Sequence, residues 1–124
     1  MALVKKKFGN NQSFLDLSFS QRVVYLALLI PSGQVVTYGD IAQAAGGGAM
    51  AAQSITSILG KAYEAGERRI PFHRIVYANG RVWLDETHAK ERLTKYVAEG
   101  ISLDSRGKID NFAEKRYDFR ASKT

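Results

Sequence analysis

The chain contains no cysteine. That absence removes disulfides, thiolate metal sites and any cysteine nucleophile at once, and it fits a cytoplasmic protein. Histidine is almost as scarce, with only His73 and His88, so a histidine-built metal centre is not expected. Long apolar runs are missing too. The longest, Val23 to Ile30, is interrupted by Tyr25 and stops at Pro31, well short of the roughly 20 residues that span a bilayer, and no membrane segment is expected. The opening residues, MALVKKKFGNN, cluster Lys5, Lys6 and Lys7 but lack the apolar stretch and small-residue cleavage site of a signal peptide.

What is present is a core and an excess of positive charge. Apolar residues make up 45% of the 124, enough for one packed domain without covalent staples. The net charge of +6 and a pI near 9.7 favour a polyanionic partner such as nucleic acid. The expected order along the chain is a basic, flexible arm over residues 1–17, a domain over 18–119 and a disordered tail over 120–124.

The pattern within the domain is mostly helical. SFSQRVVYLALLIPSG, from Ser18, places apolar side chains on more than one face before Pro31 and Gly33, which predicts a central, well-buried helix. Val35-Val36 reads as a short extended piece. Thr37 with Asp40 three residues on makes a capping box and predicts a second helix over about 38–45, closed by Gly46-Gly47-Gly48. AMAAQSITSILG predicts a third helix with Ile55, Ile58 and Leu59 on one face, and residues 61–69 read as a charged loop. Ile75-Val76-Tyr77 and Arg81-Val82-Trp83-Leu84 flank Asn79-Gly80, the strongest short hairpin signal. A fourth helix over about 87–99 stops at Gly100. Two short helices joined by a glycine turn, followed by a hairpin wing, predict a mainly α fold with a small β-hairpin, of the winged helix-turn-helix kind.

Three segments are specific when taken together: FSQRVVYLALLIPSGQVVTYGDIA, IPFHRIVYANG and AEGISLDSRGKIDNF. Their order and spacing resemble the DNA-binding domain of the alkylguanine-DNA alkyltransferases over residues 18–119, and within that family the alkyltransferase-like proteins most. The family enzymes place a reactive cysteine between the proline and histidine of the loop. Here Phe72 stands between Pro71 and His73, and a phenyl ring has no lone pair with which to attack carbon. The resemblance therefore implies a non-enzymatic protein that binds alkylated or otherwise modified guanine by base flipping and signals to DNA repair. An aromatic residue at position 72 suits packing beside a flipped base; the competing reading makes Phe72 a core residue.

The resemblance also assigns the remaining candidates. Pro71, Phe72, His73, Arg74, Trp83 and Glu99 form the implied lesion pocket. His73 and Glu99 match the pair that prepares the thiolate in the enzymes; without a thiol they are expected to orient the loop, with Arg74 bracing it. Trp83 narrows the pocket or forms the apolar face of the hairpin. Thr37, Tyr38, Ala52, Gln53, Ser54, Thr56, Ser57 and Lys61 are the implied DNA contacts. Tyr38 matches the family tyrosine that acts on the phosphate beside the flipped nucleotide, where a helix N-terminus also favours an anion. Gln53 occupies the position of the family arginine that fills the gap in the base stack, without its charge or planar fork. Thr56 and Ser57 replace a glycine pair and stay small. Lys61, Arg68 and Arg69 are either backbone contacts or a solvated face.

The implied partners are double-stranded DNA carrying alkylguanine and a repair protein. No cofactor is expected, and the chain is expected to be a monomer. Two alternatives stay open at this level: a general DNA-binding or regulatory module without lesion recognition, and a protein-interaction domain whose old DNA face is unused.

Overall fold

Ser18 starts the first helix by a reciprocal pair of bonds. Its Oγ accepts the Gln21 N–H at 3.1 Å while the Gln21 side chain accepts the Ser18 N–H at 2.9 Å, which satisfies two of the donors a helix leaves open at its start. Helix α1 (Phe19–Leu29) buries Val23, Tyr25, Leu26 and Ala27, as expected of a helix apolar on several faces. It ends where Pro31 forces Ile30 into extended backbone. This computed structural model describes residues 13–120; the arm up to Gln12 and the tail from Ala121 lie outside the described residues. Residues 13–17, which the sequence places in the arm, form a 3₁₀ turn (Phe14–Asp16) followed by buried Leu17. Arg22 holds that turn by donating to the carbonyls of Phe14 and Leu15, and also to Ala45 at the end of the next helix.

The sheet corrects the predicted hairpin. Strand β1 (Val36–Thr37) pairs in parallel with β2 (Ile75–Val76), Val36 opposite Ile75 and Thr37 opposite Val76. The Asn79-Gly80 turn does form, with the Gly80 N–H bonded to the Tyr77 carbonyl and the Tyr77 N–H to the Arg81 carbonyl. Beyond it the chain leaves β2: Arg81 bridges Lys108 and the Val82 N–H bonds Gly107. A turn signal is local, whereas the ladder is decided by which edge lies in reach, and β2 finds β1. Side-chain alternation then divides the interior. Val36 and Ile75 join the main cluster with α1, while Val35 and Val76 join a smaller one with Val82, Tyr96, Ile101 and Ile109.

Helix α2 (Tyr38–Ala44) has the predicted cap, Thr37 Oγ1 accepting the Asp40 N–H at 2.9 Å and Asp40 accepting the Thr37 N–H. At its end Gly46, at φ +89°, and Gly47 donate to the carbonyls of Gln43 and Ala42, a closure that requires a left-handed residue. Gly47 has a second reason to lack a side chain. A Cβ there would lie 2.5 Å from the Ala51 Cβ and 2.8 Å from the Phe19 ring. The glycine lets the next segment lie against the start of α1.

That segment is not the single helix predicted. Ala49–Ser54 is a 3₁₀ helix, and α3 (Ile55–Glu64) follows it, running into what the sequence presents as a charged loop. The apolar stripe explains the overrun: Ile55, Ile58, Leu59, Ala62 and Tyr63 all pack on the main cluster, a helical spacing that Lys61 and Glu64 interrupt only in composition. Helix α4 (Ala89–Ala98) starts slightly later than predicted, after Asp85 accepts the His88 N–H at 2.7 Å. Past a short helix α5 (Phe112–Lys115), the Tyr117 N–H bonds the Val35 carbonyl at 2.8 Å and Arg116 forks onto Asp40, so the last described residues brace β1 and α2.

Candidate nucleic-acid interface

Glu99, the residue that closes α4, is where distant parts of the chain meet. One carboxylate oxygen lies 2.7 Å from His73 Nε2 and 2.7 Å from an Arg74 Nη; the other accepts the Gly33 N–H and the Arg74 Nε–H, both at 3.0 Å. Arg74 also donates to the Ile30 carbonyl at 2.9 Å, and the buried Tyr96 hydroxyl donates to the His73 carbonyl at 2.6 Å. The 3₁₀ turn Phe72–Arg74 that follows buried Pro71 is thus tied to the end of α1, the turn after it and α4.

The electrostatics define the protonation states. Burial raises the Glu99 carboxyl, but Arg74, the Gly33 N–H and His73 outweigh it and hold the pKa down at about 2. Burial lowers His73 against the opposing pull of Glu99, so the imidazole is neutral. Because an ionised carboxylate only accepts, the single imidazole proton sits on Nε2. Nδ1 is then a buried lone pair without a hydrogen-bond partner among the described residues. Among the described residues this oriented base meets no hydrogen-bond donor at Nδ1. Phe72 supplies an aromatic edge instead, half-buried against the main cluster with its ring 5.7 Å from Tyr63. Arg68 in turn lies over Tyr63 at 4.3 Å.

A second group of side chains is open. Tyr38, half-buried at the start of α2, meets Tyr77 at a ring distance of 5.7 Å. Burial raises its phenol first, and Tyr77 adds to this against Arg92 and Thr56, so Tyr38 remains a hydrogen-bond donor. Arg92 on α4 covers the Trp83 ring at 5.0 Å and donates to the Trp83 carbonyl. Tyr77 and Trp83, each 44% exposed, line a groove of about 480 Å³ together with Asn79, Arg81, Val82, Leu84, Arg106 and Gly107.

The residues that the resemblance groups as one lesion pocket take different places, with Phe72 packed against Tyr63. Pro71, His73, Arg74 and Glu99 form an internal brace, and Trp83 lines a groove that none of them lines. Among the implied DNA contacts, Thr37 is buried as a cap, Ala52 and Ser54 are half-buried, and Gln53, Thr56, Ser57 and Lys61 are exposed. Gln53 reaches back to Met50, its Nε2 at 3.9 Å from the sulfur. Arg69 is engaged by Glu67 at 2.9 Å. Sequence reasoning missed Tyr63, Tyr77 and Arg92. Tyr63 was legible only by carrying the apolar stripe past Lys61, and Arg92 looks in sequence like any charge on a solvated helix face. Among the described residues no three His, Asp or Glu side chains gather as a metal site requires.

Known proteins resemble this chain in sequence and in fold. The family described as 6-O-methylguanine DNA methyltransferase, DNA binding domain, matches residues 18–101. The DNA base-flipping protein of Escherichia coli (strain K12) is 34% identical over 93 residues, 75% of this chain and 70% of that protein. The DNA base-flipping protein of Vibrio parahaemolyticus is 34% identical over 80 residues, 64% of this chain and 77% of that protein. S. pombe Atl1, solved in complex with damaged DNA containing O6-carboxymethylguanine, has a TM-score of 0.58 at 25% identity and covers 81% of this chain with 94% of its own. A second structure, S. pombe ATL in complex with DNA, shares the fold at a TM-score of 0.59 and 24% identity, with the same coverage.

Proposed function

The chain belongs to the family of 6-O-methylguanine DNA methyltransferase DNA-binding domains, and we propose that it is a member that recognises modified guanine in double-stranded DNA by flipping the base and leaves it unrepaired. One observation carries this reading. The histidine and glutamate that the resemblance equates with the thiolate-preparing pair are built and fully braced, yet the residue between Pro71 and His73 is Phe72, and the chain has no cysteine. The support for the transfer reaction is present and its nucleophile is not.

In this reading Tyr38 donates to the phosphate beside the target nucleotide, Gln53 fills the space the base leaves, and Phe72 packs beside the base or its substituent. Thr56, Ser57 and Lys61 lie along the backbone. The Glu99 brace keeps the loop at Phe72 from moving when the base arrives. The same proposal has the chain acting as a cytoplasmic monomer and handing the marked site to a repair protein. Its relatives' names and the lesion-containing Atl1 complex support the choice of ligand.

The test is a titration of labelled duplex, with and without a single O6-alkylguanine, at two salt concentrations. Tighter binding to the lesion, weakening with salt at both, is expected. Equal affinity for both duplexes would select a general DNA-binding module, and no salt-dependent binding would select a protein-interaction domain. A radiolabelled methyl group on the guanine should stay on the DNA.

A further inference from the structure

We propose that Met50 is a second insertion residue, an apolar wedge that enters the base stack beside Gln53 and opens the step from which the base leaves. The inference rests on the DNA reading above and concerns how this chain achieves distortion with an uncharged residue at position 53.

Three observations converge on Met50. It is 70% exposed, although burying a methionine side chain is worth about 1.5–3 kcal/mol. It sits in the 3₁₀ helix Ala49–Ser54, where residues three apart eclipse, so Met50 and Gln53 stand one above the other along a single edge. The contact between Met50 Sδ and Gln53 Nε2, at 3.9 Å, is the sign of that alignment. Finally, the rest of the segment is short: Ala51, Ala52 and Ser54 rise little above the backbone, and Ser54 is turned back onto the Ala51 carbonyl. The pair therefore projects from a low platform, with Thr56 and Ser57 beside it at the start of α3.

The chemistry suits the task. An unbranched thioether is flexible and polarizable and fills irregular gaps, and apolar wedges between base steps are a general means of unstacking and kinking a duplex from the minor groove. Glutamine can pair with an orphaned base but has no charge to draw it into the groove. The apolar neighbour supplies driving force by desolvation, so the two side chains divide work that a single arginine combines.

The experiment compares Met50→Ala, Met50→Leu and Met50→Gln on lesion duplexes carrying 2-aminopurine at the adjoining step. Met50→Ala and Met50→Gln should lower affinity about tenfold and reduce the fluorescence rise. Met50→Leu should stay within about twofold of wild type. The slope of log affinity against log salt should not change in any of them, because no phosphate contact is lost. Mild peroxide, which transfers one oxygen atom to the thioether and leaves water, should reproduce the Met50→Gln loss in wild type and do nothing to Met50→Leu. Wild-type affinity and fluorescence in Met50→Ala, with lesion preference intact, would overturn the wedge and leave the DNA reading standing. Failure of the unmodified protein to bind duplex at all would overturn both.

Discussion

The buried node at Glu99 and the exposed side chains proposed to meet DNA are built on opposite principles. At the node, five groups converge on or around one carboxylate: His73, Arg74 and Gly33 bond Glu99, while Tyr96 and Ile30 hold the histidine and arginine from elsewhere. By contrast, Met50, Gln53, Tyr77 and Trp83 are exposed, with Tyr38 half-buried and Arg92 laid over an indole. The first region resists rearrangement because breaking one of its bonds leaves a part-buried charge or dipole unpaired. The second has side chains whose packing is left incomplete. In the proposed reading, a site without its nucleophile keeps the rigid half of its machinery, while the half that would meet a ligand is the one that departs from the family pattern.

If that division is right, perturbing the brace should cost stability and perturbing the face should cost binding. The largest effect is expected from Glu99→Ala, which leaves Arg74 and His73 without their acceptor. Loss of about 3 kcal/mol in urea unfolding is predicted; a loss below about 0.5 kcal/mol would mean the brace is ornamental. Acid should act on the same node. His73 has a folded pKa below its unfolded value, so its contribution is full above about pH 6.5 and declines as pH falls below it. Glu99 is also depressed, to about 2 from 4.5, so its contribution is full above 4.5 and is lost as pH falls through 2. Both signs agree. Urea midpoints should fall from pH 7 to 5 and again to 3, and the second fall should be smaller in Glu99→Gln.

Changes to the face should move those midpoints little. Gln53→Arg adds charge where the groove potential is most negative and should tighten lesion binding about tenfold, with a larger 2-aminopurine signal. Unchanged affinity and signal would show that this segment is not the flipping element. The smallest effect is expected from Arg92→Ala. It removes the cation from over Trp83, an exposed contact worth about 0.5–1 kcal/mol, so unfolding should lose no more than about that, and lesion binding should weaken about threefold. A large fall in stability instead would place Arg92 with the brace.

Local codes were readable in the chain. Ser18 with Gln21 and Thr37 with Asp40 form the capping bonds their spacing predicts, Gly46 and Gly100 close helices in the left-handed region, and Asn79-Gly80 makes its turn. The roles expected of His73, Phe72 and Glu99 came from the resemblance to the alkyltransferase family, not from any local property of the residues. These features depend on contacts within a few residues or on a pattern held along the chain, so a sequence carries them directly.

Other features depended on what lay across the fold. Whether Ile75-Val76 would pair with residues 81–84 or with Val36-Thr37 turned on which edge was free. Where α3 would end turned on Tyr63 finding Phe72 and the core, against the charged composition around it. Arg92 became part of the aromatic face only when α4 was laid over Trp83. Sequence determined the caps, the turns and the absence of cysteine, because each is set by covalent neighbours or by identity alone. Tertiary structure decided the ladder, the helix end and the division of the site into brace and face, because each follows from burial energies shared between segments remote in the chain.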